Sequence, residues 1–290
     1  MKKKYAVFTM DVERFSDTEC IQNLGVPVNA DMLDGFDTYM EIMDRHGIKN
    51  TLFTIGELAP KIADRLRPHL ASGHDLAMHS YNHTPPLQEP LERFREEIRR
   101  AKDRMTELFG VEVSGFRAPC FSMDDDRLEV LRELGFRYDS SYLNYYPAKH
   151  TRKLRMQGFR QLRQSIFRRD EFYEFGLSTG NVMGMPFPVS GGGYVRLTPW
   201  WFIGPMIRRH IRKSDYYVFY LHPFELTREK VPFFRKLRGY DKFYIRGGIR
   251  GYGRRVERII KMLRRYGYEF VTFDQLAQIM ETEQPATSAL

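Results

Sequence analysis

The sequence predicts an α/β fold of parallel strands joined by helical crossovers, on three observations. Short apolar runs alternate with stretches of helical periodicity, the pattern of repeated strand–helix–strand units. Several of those runs end in a polar or charged cluster, and in parallel β/α barrels the loops leaving the strand C-termini converge on one edge. Composition agrees: 42% hydrophobic and 14% aromatic residues supply ample core, while 290 residues fit one barrel or two domains alike.

The elements follow in order. Tyr5 to Met10 is a strand running into Asp11-Val12-Glu13, and a helix is expected from about Asp31 to His46. Thr51 to Ile55 is a strand ending at Gly56, with a helix from about Leu58 to Ser72. Asp75 to Met78 ends at His79, and a charged helix spans about Leu91 to Phe109. Val113 to Phe116 ends at Arg117-Ala118-Pro119, and a helix over Asp125 to Leu134 leads to Tyr138-Asp139-Ser140-Ser141. Tyr216 to Leu221 is a strong strand ending at His222-Pro223; a helix from about Gly253 to Tyr266 precedes a last strand, Glu269 to Phe273.

Leu143 to Gly193 fits this alternation less well. It carries Arg152, Lys153, Arg155, Arg160, Arg163, Arg168 and Arg169 and closes on Gly191-Gly192-Gly193, which implies unusual backbone angles or a close approach. It reads as a basic insertion, about 143–193, on a single barrel covering 1–280. Residues 281–290 lack periodicity and read as a flexible tail.

Composition narrows the function class. Two cysteines, Cys20 and Cys120, are too few for a disulfide framework and read as small buried thiols of a reduced compartment. Lys2-Lys3-Lys4 mimics an export signal, but the apolar run stops at Asp11, short of the ~7–15 apolar residues such a signal needs. No stretch approaches the ~20 apolar residues of a membrane span. The mature chain is therefore expected to start at Met1 and to stay in the cytoplasm. A net charge of +9 and a pI near 9.4 favour anionic partners: nucleic acid, acidic glycan or an anionic membrane surface.

Specific residues carry the chemistry. His79 and His83 stand four apart at a strand end, a spacing that lets two imidazoles of a helix or tight loop reach one metal ion. Alone, the spacing equally fits two unrelated histidines. Asp11 and Glu13 share one side of a strand, so one carboxylate can bind the metal while the other acts as base. With two imidazoles they make the three-ligand set of a hydrolytic site that keeps positions open for water and substrate. Arg117 brings a cation to another strand end, able to hold a carboxylate ionised or merely to form a surface ion pair. His222, after a very apolar strand, suits a general acid titrating near neutrality, though such a histidine can also be a satisfied core residue.

Together these residues resemble the polysaccharide deacetylase family, also called the NodB-homology or carbohydrate esterase family 4 group. Thr9-Met10-Asp11-Val12-Glu13 is similar to its first motif, His79-Ser80-x-x-His83 to its second, and Phe116-Arg117-Ala118-Pro119 to its third. Asp139-Ser140-Ser141 is similar to the fourth and Leu221-His222-Pro223 to the fifth; all five occur in family order. Ser190-Gly191-Gly192-Gly193-Tyr194-x-Arg196-Leu197-x-Pro199 and Tyr220-Leu221-His222-Pro223-x-Glu225 resemble the subgroup found with bacterial exopolysaccharide systems.

The resemblance implies a distorted (β/α)7-type barrel and hydrolysis of an N-acyl group, usually N-acetyl, from an amino sugar of a polysaccharide or lipid-linked precursor. It implies one divalent metal ion, zinc first with cobalt or nickel as alternatives, on Glu13, His79 and His83. Asp11 is then the base, Arg117 its counter-cation, His222 the acid and Asp139 the group that orients His222. Val12 separates the two acids where many family members have adjacent aspartates, so the roles of Asp11 and Glu13 remain exchangeable. A deformylase of a lipid-linked formamido sugar would use the same site. A catalytically silent glycan- or nucleic-acid-binding module is the rival from another class, but no nucleic-acid motif is present and nucleic acid is not expected as a partner. Trp200-Trp201-Phe202, followed by Arg208, Arg209, Arg212 and Lys213, reads either as an interfacial contact with an anionic inner membrane face or as a packed helix with a solvated basic end.

Overall fold

The computed structural model describes residues 2–18, 21, 31–144, 152–231, 237 and 239–283. The chain forms two compact units: Met1–Ile48 with Ser178–Glu269, and Lys49–Leu177 with Phe270–Leu290.

In the first unit, strands Lys4–Val12 and Tyr216–Leu221 pair in parallel, from Tyr5 opposite Tyr216 to Met10 opposite Leu221. Both are buried along almost their whole length. This is why each reads as a continuous apolar run: a parallel strand covered on both faces has no solvent side to alternate with. Three helices each bury one stripe at three- and four-residue spacing. These are Asp34–Arg45 with Phe36, Tyr39, Met40 and Met43; Trp200–Lys213 with Ile203, Ile207 and Ile211; and Tyr252–Arg265 with Val256, Ile259, Ile260 and Leu263. Each such aliphatic, removed from water, contributes roughly 1.5–3 kcal/mol. A hairpin of Thr179–Val182 and Met185–Pro188 completes the unit.

In the second unit, strands Thr51–Thr54, Asp75–Met78, Gly115–Phe116, Tyr138–Asp139 and Phe172–Phe175 lie side by side, all parallel. Ile166–Arg169 and Arg160–Arg163 extend that sheet antiparallel. Helix Leu91–Phe109 buries Phe94, Ile98, Ala101 and Met105 and ends at Gly110 with φ 65°, the left-handed stop that glycine adopts at least cost.

Three expectations are corrected. The segment 143–193 is no appendage: its described residues form six short strands, and Phe172–Phe175 joins the parallel sheet beside Tyr138–Asp139. The last strand is Tyr268–Phe270, and a helix follows over Phe273–Glu283, so Glu281 to Glu283 belong to a helix and not to a tail. A reciprocal cap sets that boundary: Thr272 N donates to Gln275 Oε1 at 3.1 Å and Gln275 N to Thr272 Oγ1 at 3.2 Å, a Thr-x-x-Gln capping box. Finally, Cys120 is only half-buried; Cys20 and residues 284–290 lie outside the described residues. No helix among the described residues is long and apolar enough to cross a membrane.

Candidate active site

The register of the second unit's sheet lines up three of the motifs. His79 N donates to Thr54 O at 2.9 Å, Arg117 N to Met78 O at 2.9 Å, and Ser140 N to Phe116 O at 3.0 Å. Each of these residues is the first beyond its strand, so the parallel ladder sets them in a row along one C-terminal edge.

His79 and His83 are 2% and 5% exposed, and their ring centroids lie 5.2 Å apart. The segment joining them is a tight loop, not a helix. Ser80 and His83 take φ of 62° and 63°, a left-handed backbone that non-glycine residues adopt at a cost of order 1 kcal/mol or more. The loop is tied down by Gly56 N to Ser80 O at 3.0 Å and Glu57 N to Tyr81 O at 2.8 Å. His79 Nδ1 lies 2.8 Å from the Arg117 carbonyl. A carbonyl only accepts, so Nδ1 carries the proton and Nε2 presents its lone pair, the tautomer that a metal-ligating histidine uses.

Arg117 is fully buried. Its Nε donates to Ser140 O at 3.2 Å and Nη2 to Ser140 Oγ at 3.0 Å, and the guanidinium stacks over Phe53 at 4.0 Å. Asp139 accepts from Ser141 Oγ at 2.8 Å and Ser141 N at 3.0 Å. Burial lifts its carboxyl to about 6. Glu174, also fully buried, accepts from Ser141 N at 3.0 Å and Tyr142 N at 2.9 Å. Burial first, and the Asp139 charge second, push the Glu174 carboxyl well up. Among the described residues no donor faces Glu174 Oε2. Two adjacent buried acids lower their mutual repulsion by holding a proton between them.

The first unit holds the remaining site residues. Asp11 and Glu13 are 2% and 3% exposed at the end of Lys4–Val12. His222 directly follows the paired strand Tyr216–Leu221, and its Nε2 lies 3.8 Å from Asp11 Oδ2. Its Nδ1 sits 3.2 Å from Glu225 Oε2, and its N–H donates to the same oxygen at 3.1 Å. Glu225 Oε1 in turn accepts from Arg196 Nε at 2.8 Å, with both side chains wholly buried. Burial works to lower the His222 pKa, but the carboxylates of Glu13, Glu225 and Asp11 outweigh it and lift it to about 9. Burial likewise works to raise Glu225, yet His222 and Arg196 hold it below the ordinary carboxylate range. Three glycines stand where the sequence placed them: Gly191 has φ 123°, and a Cβ there would lie 2.0 Å from Tyr220 O.

The first unit thus brings Asp11, Glu13 and His222 together, and the second collects His79, His83, Arg117 and Asp139. Glu225 occupies His222 Nδ1 in the first unit, and in the second both Asp139 oxygens accept from Ser141. Glu174 went unread in the sequence, since it lies 35 residues after Asp139 with no local spacing to connect them.

Two family descriptions match the chain: polysaccharide deacetylase over residues 31–138, and a domain of unknown function, DUF3473, over 143–278. Residues 31–138 are thus of the polysaccharide deacetylase family. Two curated relatives agree. A peptidoglycan deacetylase of Helicobacter pylori is 20% identical over 38% of this chain and 38% of its own length. A peptidoglycan deacetylase-like protein of Gibberella zeae is 29% identical over 37% and 32%. The matched region therefore spans only 38% and 32% of these relatives' own lengths.

Solved structures of low sequence identity share the fold over nearly the whole chain. A Mycobacterium smegmatis protein assigned to the polysaccharide deacetylases superposes with a TM-score of 0.59 at 18% identity, covering 100% of this chain and 95% of that one. A peptidoglycan N-acetylglucosamine deacetylase gives 0.53 at 14%, over 96% and 89%. An allantoinase gives 0.62 at 12%, over 98% and 92%. The chain has the fold of the family's (β/α)7-type barrels, as expected. The allantoinase shares that fold, so substrate must be argued from the site.

Proposed function

We propose that this deacetylase-family chain is a metal-dependent N-deacetylase of amino-sugar units in a polysaccharide or lipid-linked glycan precursor. The observation that carries the reading is the histidine pair: two buried imidazoles with rings 5.2 Å apart, one with its ligating tautomer set by a backbone carbonyl. Two imidazoles with one carboxylate is a donor set suited to zinc, and also to cobalt or nickel. We assign Glu13, His79 and His83 as the ligands. Bound there, a divalent ion supplies Lewis acidity toward the acyl oxygen and lowers the pKa of water.

The chain's own residues account for the proton transfers. Asp11 takes the proton of the attacking water. His222 carries a proton at neutral pH because three carboxylates raise its affinity for one. It gives that proton to the departing amine, which cannot leave as an anion. Glu225 fixes the ring so that Nε2 is the donating atom.

Metal content and acetate release from N-acetylglucosamine oligomers test the reading together. About one divalent ion per chain is expected, lost along with turnover in the His79→Ala/His83→Ala double variant. Asp11→Asn should keep the metal and lose turnover by about 100-fold or more. Release of formate from a formamido sugar, with no acetate from any oligomer, would replace the deacetylase by the deformylase. A wild-type chain that takes up no zinc, cobalt or nickel would end both.

A further inference from the structure

Outside the motifs, the first unit exposes large apolar side chains that a water-facing surface does not need. Met183 is 95% exposed, Trp201 77% and Met185 67%, with Tyr194 and Phe202 also exposed. They come from three elements that adjoin through Phe187. Phe187 shares the strand Met185–Pro188 with Met185, two positions on, and so lies on the same face. Its ring lies 6.1 Å from Tyr194 and 6.2 Å from Phe202, and Phe202 lies 5.9 Å from Trp201. Met183 sits in the two-residue turn of the hairpin with φ 50°, beside Gly184 at φ 89°. The hairpin is thus a short wedge with methionine at its tip, beside a helix that begins with an outward-facing tryptophan. A contiguous apolar patch of this kind marks an interaction site.

The rest of the same helix says what the patch meets. One face of Trp200–Lys213 is buried through Ile203, Ile207, His210 and Ile211. The opposite face is exposed at Trp201, Phe202 and Pro205, then at Arg208, Arg209, Arg212 and Lys213. Apolar anchors occupy the first turn and four cations the last two, with no acidic residue in the helix. At ~1.5 Å per residue the cations stand roughly 10–18 Å from Trp201 along the axis. An aromatic tip with cations about that far above it matches a bilayer: interfacial anchors enter about 5–10 Å, and the positive charges remain level with the headgroups. A second copy of this chain would present the same cations and repel them.

We propose that this face, the Thr179–Pro188 hairpin with the Trp200–Lys213 helix, docks on an anionic lipid bilayer. Docking is peripheral, with Trp201 and Met183 as anchors and the arginines as the electrostatic contribution.

Flotation of the full chain with phosphatidylglycerol vesicles tests it. The chain should float with these vesicles, far less with phosphatidylcholine vesicles, and less again in 0.5 M salt, where the Debye length is only about 4–5 Å. Trp201 emission should shift to the blue on binding. The Trp201→Ser/Met183→Ser variant, changed only at exposed side chains, should partition at least about tenfold less. Its acetate release from soluble oligomers should be unchanged, which separates this surface from the proposed chemistry. Equal flotation of wild type and variant would overturn the proposal. So would a concentration-dependent dimer that the same variant abolishes without any lipid binding.

Discussion

Replacing Glu225 by Gln removes one charge from the line Arg196–Glu225–His222 with almost no change of shape. In the wild-type chain the His222 pKa is raised from 6.5 to about 9, through Glu13, Glu225 and Asp11 acting against burial. That rise corresponds to roughly 3 kcal/mol in favour of the charged ring. Because the folded value lies above the unfolded one, this stabilisation is fully present below pH 6.5 and is lost as pH rises through about 9. After the charge of Glu13, Glu225 raises the His222 pKa both through the 3.2 Å hydrogen bond and through its own charge. In Glu225→Gln the midpoint should therefore fall measurably below about 9. The variant should also lose about 3–5 kcal/mol from the buried Arg196 pair, moderated by the carbonyls of Tyr244 and Gly247 that still accept from Arg196. The assay is an NMR titration of the His222 ring in metal-free protein, alongside urea unfolding at pH 6 and pH 9. A His222 midpoint that stays near 9 in the variant would refute the assignment of Glu225 as the positioning residue.

Other expectations follow from the same coordinates. Glu174→Gln removes an acid whose pKa is pushed well up by burial and by Asp139. Such a group costs stability as pH climbs from its unfolded value toward the raised one, so urea melts should show the variant gaining on wild type as pH rises above 4.5. Gly191→Ala forces a Cβ to within 2.0 Å of Tyr220 O; a loss of about 3 kcal/mol or more, seen as a lowered melting temperature, is expected.

Much of the site was legible because strand ends are marked in sequence. His79, Arg117 and His222 each follow an apolar run directly, and within the second unit the parallel ladder places His79 and Arg117 side by side although 38 residues separate them. Arg196 and Glu225 stood inside recognisable motifs, but their pairing at 2.8 Å spans 29 residues, a distance that no periodicity encodes. Glu174 was hidden differently, inside a segment whose arginines read as a basic insertion although Phe172–Phe175 is fully buried. The end of the chain misled because Glu281 looks like part of a polar tail. Its partner, Arg137 at 3.0 Å, lies 144 residues away, and the Thr272–Gln275 cap that begins the helix is a weak signal beside an apolar run.

Arg196 has a consequence beyond charge balance. One guanidinium grips Glu225 with Nε and the carbonyls of Tyr244 and Gly247 with its other two nitrogens. The Gly247–Gly248 turn is close-fitting: a side chain on Gly248 would strike Arg196 O at 2.3 Å. The fork therefore works as a rivet between this turn and the acid's support. A shift of the turn by an ångström must stretch the Arg196–Glu225 bond or drag Glu225 with it, and either changes how tightly His222 holds its proton. Substitutions in the turn, remote in sequence from His222, will then register as a change in the acid's titration before they register as a loss of fold.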